Sequence, residues 1–195
     1  TGHTTHYSVV DADGNAVAVT TTLNSGYGSK VTVTGAGFLL NNEMDNFAAK
    51  PGFPNQYGLV QGEANAIEPG KRPLSSMSPS IVLDPAGELF FVSGTPGGPT
   101  IISTVFQTIS NVIDYGMNVA QAINAPRLHH QHLPDQISIE ADGLSADIIA
   151  QLERLGHMVV ERGGYQGDAH AIMAMPDGSL EGYSDQRRGG GVAGR

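Results

Sequence analysis

The chain has 195 residues, 39% of them apolar and 15% charged, enough for one domain with a substantial core. A net charge of −9 with only ten scattered Lys and Arg excludes the clustered positive charge that nucleic acid or an anionic membrane requires, so small molecules or another protein are the expected partners. Without cysteine there is no thiolate nucleophile, disulfide or cysteine zinc site, and no apolar run or basic leader suggests a membrane span or an export signal within these residues.

The chain opens Thr1-Gly2-His3-Thr4-Thr5-His6-Tyr7-Ser8. A threonine at a terminus can unite nucleophile and base, because its α-amino group, with a pKa of about 7.7 to 8.0, takes the hydroxyl proton near neutral pH. On position alone Thr1 is the candidate. His6 to Val10 and Ala16 to Thr22 are rich in strand formers around the turn Asp11-Ala12-Asp13-Gly14, which predicts a hairpin. Asn24 to Ser29 reads as a glycine-rich loop, and Val31, Val33 and Gly37-Phe38-Leu39-Leu40 as a return to extended structure. Asn41-Asn42-Glu43-Met44-Asp45-Asn46-Phe47 concentrates amides and carboxylates, either to face a polar ligand or as a solvated loop or helix cap.

Prolines and glycines break up residues 50 to 73 into a long ordered loop of the kind kept for binding or as a lid. It ends in Leu74-Ser75-Ser76-Met77-Ser78-Pro79, where paired serines serve either turn chemistry or an anion. Strands follow at Ser80 to Leu83 and Glu88 to Ser93 around the turn Asp84-Pro85-Ala86-Gly87. Gly94-Thr95-Pro96-Gly97-Gly98-Pro99 then leads into a helix buried along the stripe Ile101, Ile102, Val105, Phe106, Ile109, Val112 and Ile113 and stopped at Gly116. Glycines before a helix start bring backbone N–H groups close to a negative charge. The Gly-Lys-Ser/Thr ending of a phosphate loop is missing, and an oxyanion hole needs only two such groups.

Asn118 caps a short helix to Ile123, and Ala125 to His132 reads as a loop whose three histidines match no metal-ligand spacing, so no metal site is expected. Gln136 to Glu140 reads as a strand. Ser145 caps a helix with Ile148, Ile149, Leu152 and Leu155 on one face, ended by Gly156, and Met158 to Glu161 returns as a strand. Ala169 to Met175 and Leu180 to Tyr183 form a closing hairpin about Pro176-Asp177-Gly178, and the basic stretch from Asp185 to Gly191 reads as a solvated terminus. Strands first, helices in the middle and strands again give an α+β pattern.

Thr4-Thr5-His6-Tyr7-Ser8, Thr20-Thr21-Thr22-Leu23-Asn24, Asn41-Asn42-Glu43-Met44-Asp45, Pro73-Leu74-Ser75-Ser76-Met77-Ser78-Pro79 and Gly94-Thr95-Pro96-Gly97-Gly98 stand in one order over nearly the whole chain. In them it resembles the small, catalytic subunit of gamma-glutamyltransferase, also called glutathione hydrolase. The resemblance implies an N-terminal-nucleophile hydrolase with a four-layer αββα sandwich, made as a precursor that cleaves itself into a large and a small subunit. Residues 1–3 are then the end of the large subunit or an uncleaved linker, and 4–195 the catalytic small subunit.

By the same resemblance the nucleophile is Thr4, not Thr1, and Thr22 hydrogen-bonds it. Asn24 holds substrate, Tyr57 closes the pocket with it, and Gly97 and Gly98 donate the oxyanion-hole N–H groups. Ser75 and Ser76 receive the substrate α-carboxylate. Glu43 and the position of Asn46 bind its ammonium. No cofactor is implied. The expected partners are the large subunit, as a heterodimer, and a small-molecule γ-glutamyl substrate, and the implied location is periplasmic or extracellular. One position departs from the pattern: Asn46 stands where the family carries a second acid, as in the glutaryl-cephalosporin acylase branch. The expected activity is transfer of the γ-glutamyl group of glutathione to water or an amine. A glutaryl-cephalosporin-acylase-like amidase is the alternative that Asn46 suggests, and an unprocessed, non-catalytic relative is another.

Overall fold

The computed structural model describes residues 4–194. The expectations for Thr1 to His3 lie outside the described residues. Strands β1 (Thr5–Val10) and β2 (Ala16–Thr21) form the predicted hairpin, with Thr5 opposite Thr21. Asp11 closes the turn by accepting the N–H groups of Asp13 and Asn15, each at 2.9 Å. The chain then runs as ordered loop to residue 79, tightened by 3-10 turns at Glu43–Asn46 and Glu63–Asn65. The extended return expected from Val31 to Leu40 is reduced to one bridge between Thr32 and Leu39. Gly35 and Gly37, with φ of 83° and 74°, turn the backbone away before a ladder can form.

Strands β3 (Ser80–Leu83) and β4 (Leu89–Gly94) follow, then helices α1 (Ile101–Ile113) and α2 (Val119–Asn124). Next come β5 (Leu128–His129), β6 (Ile137–Ile139), α3 (Ala146–Arg154) and β7 (Val159–Glu161), and last β8 (His170–Ala174) and β9 (Leu180–Ser184). The central sheet is antiparallel in the order β3-β4-β8-β9, and β5-β6-β7 form a smaller mixed sheet.

Alternation along β4 explains the layers. Phe91 points with Ala171 and Met173 of β8 onto Val112, Val119, Ala122 and Ile123 of the two helices, which is the main core. The neighbours Val92 and Gly94 point the other way, towards β1, where the ring of His6 fills the space over Gly94. Hairpin, central sheet and helices thus stack as β, β and α layers of the expected αββα sandwich. α2 starts at a full capping box, Asn118 accepting from the Gln121 N–H and Gln121 reaching back to the Asn118 N–H.

Other expectations need correction. The apolar stripe of α1 is only partly covered: Ile101, Val105 and Val112 are buried, but Ile102, Phe106 and Ile113 stay 54%, 69% and 54% exposed. Ser145 stands at the start of α3 without a side-chain bond to its backbone, and Leu155, expected on the packed face, is exposed. Leu128 and His129 leave the supposed histidine loop to pair with β6.

The largest correction concerns the end of the chain. Asp185 is 1% exposed and Arg187 is locked inward, so these two residues are structural, while Gln186 and residues 188–191 are exposed as expected. Arg187 grips Glu140 with two bonds of 2.8 and 2.7 Å, and Arg127 meets Asp185 at 2.7 Å. Sequence read as charge alone could not show that two arginines and two distant acids neutralise one another in the interior.

Candidate active site

The hairpin delivers Thr4 and Thr22 to the same end of the molecule because β1 begins just after one and β2 ends just before the other. The Thr4 hydroxyl donates to Thr22 Oγ1 at 3.0 Å. Thr22 Oγ1 also accepts the Asn24 N–H at 2.8 Å, so its lone pairs are fixed towards Thr4 by the turn that follows β2. Asn24 holds that turn with φ of 73°, a left-handed conformation asparagine tolerates better than most side chains, and its amide donates to the Asn42 carbonyl at 3.1 Å.

Around Thr4 lies a cavity of about 430 Å³. Every site residue predicted from the sequence lines it except Gly97, which precedes Gly98 in the chain. Tyr57 reaches in from the long loop, its hydroxyl donating to the Asn24 carbonyl at 2.9 Å. That loop is latched a second time by Ser25, which donates to Gln56 at 2.8 Å and accepts from Asn42 at 2.8 Å. The latch role of Ser25, Asn42 and Gln56 is invisible to local motifs, since it depends on contacts between segments far apart in sequence.

The 3-10 turn Glu43–Asn46 gives the cavity an acidic corner. Asn46 Nδ2 donates to Glu43 Oε2, while Glu43 Oε1 is buried without a protein partner. Burial pushes the Glu43 carboxyl above its ordinary value, against the pull of the Asn46 amide. The Tyr57 phenol is also pushed up, by burial and then by Asp45 and Glu43.

Ser75 and Ser76 stand on the same cavity wall, next to the loop from Gly94 to Gly98. Ser76 Oγ donates to the Gly98 carbonyl at 2.8 Å, and Ser75 Oγ accepts the Met77 N–H at 3.2 Å. Gly97, at φ 149° and ψ 9°, has a backbone only glycine adopts freely, and a Cβ there would lie 2.7 Å from Thr100 Oγ1. The loop is held from behind by Thr95, whose hydroxyl oxygen accepts the Asp168 N–H at 2.8 Å. A cavity with a threonine hydroxyl beside a glycine turn at a helix start, an acidic corner and a pair of serines fits acyl transfer from a zwitterionic amide. Its remaining wall was unforeseen: Ile102, Ser103 and Phe106 from α1, and His129, His130 and Gln131. No group of three or more His, Asp or Glu able to hold a metal occurs among the described residues.

The family model described as gamma-glutamyltranspeptidase matches residues 1–195. The glutathione hydrolase proenzyme of Escherichia coli strain K12 is 56% identical over 184 residues, covering 94% of this chain and 31% of that relative, so the chain spans about a third of its length. The crystal structure of an acivicin-inhibited gamma-glutamyltranspeptidase superposes with a TM-score of 0.90 at 55% identity, over 94% of this chain and 98% of that one. The gamma-glutamyltranspeptidase of Pseudomonas nitroreducens complexed with L-DON gives 0.89 at 48% identity, over 98% of this chain and 100% of that one.

Proposed function

The chain belongs to the gamma-glutamyltranspeptidase family, and from that premise we propose that it is the catalytic part of an enzyme that moves the γ-glutamyl group of glutathione and related amides to water or an amine. The observation that carries this reading is the Thr4 hydroxyl, bonded to Thr22 and facing one cavity with Glu43, Asn46, Ser75, Ser76 and Gly98. The relatives named as proenzymes support a partner made from the same precursor, a large subunit in a heterodimer.

The base in this scheme is the α-amine of Thr4, which exists only once the peptide bond before it is broken. The same hydroxyl makes the cut: Thr4 Oγ attacks the preceding carbonyl, the C–N bond breaks to leave an ester, and water hydrolyses the ester to free the amine. In turnover the amine takes the Thr4 proton as Oγ attacks the γ-carbonyl of the substrate. The oxyanion rests on the N–H groups of Gly97 and Gly98, where loss of one such donor costs ~2.7 to 4 kcal/mol. Collapse breaks the C–N bond, and the proton passes to the leaving amine. Water or another amine then attacks the threonyl ester, the C–Oγ bond breaks and Thr4 recovers its proton.

Glu43 Oε1, buried and unpartnered, is the acceptor for the substrate ammonium; Ser75 donates to its carboxylate, and Ser76 does so by turning its hydroxyl away from the Gly98 carbonyl. Asn46 favours one refinement. With a neutral amide beside it, Glu43 is the one carboxylate of this turn that lines the cavity, so an acyl group without an ammonium is rejected less strongly than by two acids there.

Intact-mass measurement on protein made from the full precursor tests the proposal. Wild-type protein yields a chain beginning at Thr4 that gains one γ-glutamyl group during turnover of glutathione. Thr4→Ala leaves the precursor whole and inactive. Wild-type rates of hydrolysis in Thr4→Ala protein sink the assignment.

A further inference from the structure

The two charge-binding halves of the acyl site stand on loop. Glu43 belongs to the 3-10 turn Glu43–Asn46, and Ser75 to the segment that leads into β3. Between β2 and β3 the chain carries 3-10 turns and isolated bridges in place of strands, so no ladder sets one half against the other. The ammonium and carboxylate they receive share one carbon of the substrate and arrive at a spacing that cannot adapt. The protein has to hold its two halves to match.

One side chain bonds to both. Asn65 Nδ2 donates to the Asn46 carbonyl at 2.7 Å, at the end of the acidic turn, and also to Gln61 Oε1 in the cavity wall. Asn65 Oδ1 accepts the Leu74 N–H at 3.1 Å, one residue before Ser75. Both amide hydrogens and the oxygen are thus engaged, in a pattern that a group able only to donate or only to accept cannot reproduce. The Asn46 side chain carries the link on to Glu43 Oε2. The Asn65 backbone is anchored separately, its N–H donating to the Gly62 carbonyl at 3.1 Å and its carbonyl accepting the Ala48 N–H at 2.9 Å. A change of side chain therefore leaves the loop's own backbone bonds in place. All of these partners lie within this chain.

We propose that Asn65 is a positioning residue for substrate choice: it fixes the spacing between the ammonium-binding and carboxylate-binding halves of the acyl site, and so favours an acyl group with both charges on one carbon. The proposal rests on the acyl-transfer reading of Thr4 and the roles it gives Glu43 and Ser75. Asn65 is not among the residues that line the cavity, and acts through Asn46 and Leu74. An acyl group that engages both halves gains from having them set in advance. One that engages a single half is indifferent to the spacing.

Three p-nitroanilides separate this role from a general loss of structure: γ-glutamyl, with both charges, glutaryl, with the carboxylate alone, and γ-aminobutyryl, with the ammonium alone. Initial rates of the mature heterodimer give kcat and KM for each. In Asn65→Ala, kcat/KM for the γ-glutamyl anilide falls at least about tenfold further than for the other two, within the ~100-fold that a misplacement of about 1 Å can cost. The loss lies mainly in KM, because the two charges are held alike before and during acyl transfer. Asn65→Asp is nearly isosteric, keeps the acceptor for Leu74 and loses the donors to Asn46 and Gln61. It breaks the link on one side and gives the same pattern, and it decides the matter if the alanine variant folds poorly. A loss shared equally by the three anilides in Asn65→Asp, a loss carried by kcat, or wild-type selectivity in that variant overturns the proposal. A wild type that releases no nitroaniline from any of the three overturns the acyl-transfer reading itself, and the role of Asn65 with it.

Discussion

Asn46→Asp tests the reading of the acidic corner directly. In the wild type Asn46 Nδ2 donates to Glu43 Oε2, leaving Glu43 Oε1 as a buried carboxylate oxygen with no protein partner. The substitution removes that internal donor and puts a second carboxylate against the first. With a substrate ammonium between them both acids are satisfied, and one neutral contact becomes a charge-assisted bond, of order 1.5 to 3 kcal/mol. At 1.4 kcal/mol per decade this is roughly a 10- to 100-fold gain in selectivity. With a glutaryl group nothing separates the two charges, whose repulsion at about 4 Å and an effective dielectric of about 20 is ~4 kcal/mol before one of them takes up a proton. The expected result is therefore a rise in kcat/KM for γ-glutamyl p-nitroanilide, a fall for glutaryl p-nitroanilide, and a ratio shifted by 10- to 100-fold. The assay is initial-rate release of nitroaniline by mature heterodimer at pH 8. An unchanged ratio, or a wild type already as selective as the variant, refutes the assignment of this corner to the ammonium.

The remaining predictions concern pH and packing. Burial holds the Glu43 carboxyl above its ordinary value, and only the ionised form attracts an ammonium, so kcat/KM for the γ-glutamyl anilide falls with acid at a higher pH than an ordinary glutamate would set. The glutaryl anilide lacks that limb, and the two pH profiles measured side by side check it. Burial, and then the charge of His170, lower the His6 pKa from 6.5 to about 4, so the folded protein keeps this ring neutral. The unfolded chain takes up a proton first, and stability present above pH 6.5 is lost towards pH 4 by up to ~1.4 kcal/mol per pH unit, as urea midpoints at stepped pH should show. Asp185→Asn breaks an ion pair whose side chains are 2% and 0% exposed, and loses about 3 to 5 kcal/mol in the same urea assay. Burial raises Asp185, but Arg127 and two backbone N–H groups outweigh it and hold the carboxyl low, so this contribution is complete above ordinary aspartate pKa values and fades only as pH falls through the lowered one. In Gly94→Ala the new Cβ would lie 2.2 Å from His6 Cε1, and overpacking of about 1 to 3 kcal/mol is expected, relieved by adding His6→Ala.

How much could be read beforehand follows from the range of each interaction. The hairpin, the strands around Asp84 to Gly87, α1 and the capped start of α2 are written in local periodicity and turn chemistry, and the structure has them close to the predicted bounds. The cavity residues were legible because they sit in contiguous motifs. Residues contributed by shape were not: Ile102 and Phe106 counted as core because helical periodicity places them on the stripe with Ile101 and Val105, yet periodicity cannot say how wide a face the sheet covers. Asp185 and Arg187 were misread for the opposite reason. Their charges look solvated until Arg127 and Glu140, remote in sequence, are placed beside them.

That buried network also connects folding to the proposed chemistry. Arg127 donates to the Gln166 carbonyl at 2.6 Å and Glu140 accepts the Gln166 N–H at 2.8 Å, so the charged cluster fixes the segment just before β8. Two residues on, the Asp168 N–H holds Thr95 at 2.8 Å, and a Cβ on Gly167 would strike Thr95 Oγ1 at 2.7 Å, a measure of how closely that segment presses on the glycine loop. On the other face of β4, His6 presses on Gly94 and bonds Thr20 at 2.8 Å, which ties the strand of Thr4 to the same loop. The loop and the nucleophile are therefore set by two separate supports, one charged and near the chain end, one neutral and inside the sandwich. Loosening the first by Asp185→Asn should lower kcat more than it raises KM, since Glu43, Ser75 and Tyr57 are not held by it. If KM for the γ-glutamyl anilide instead carries the whole effect, the network supports substrate binding and not the glycine loop.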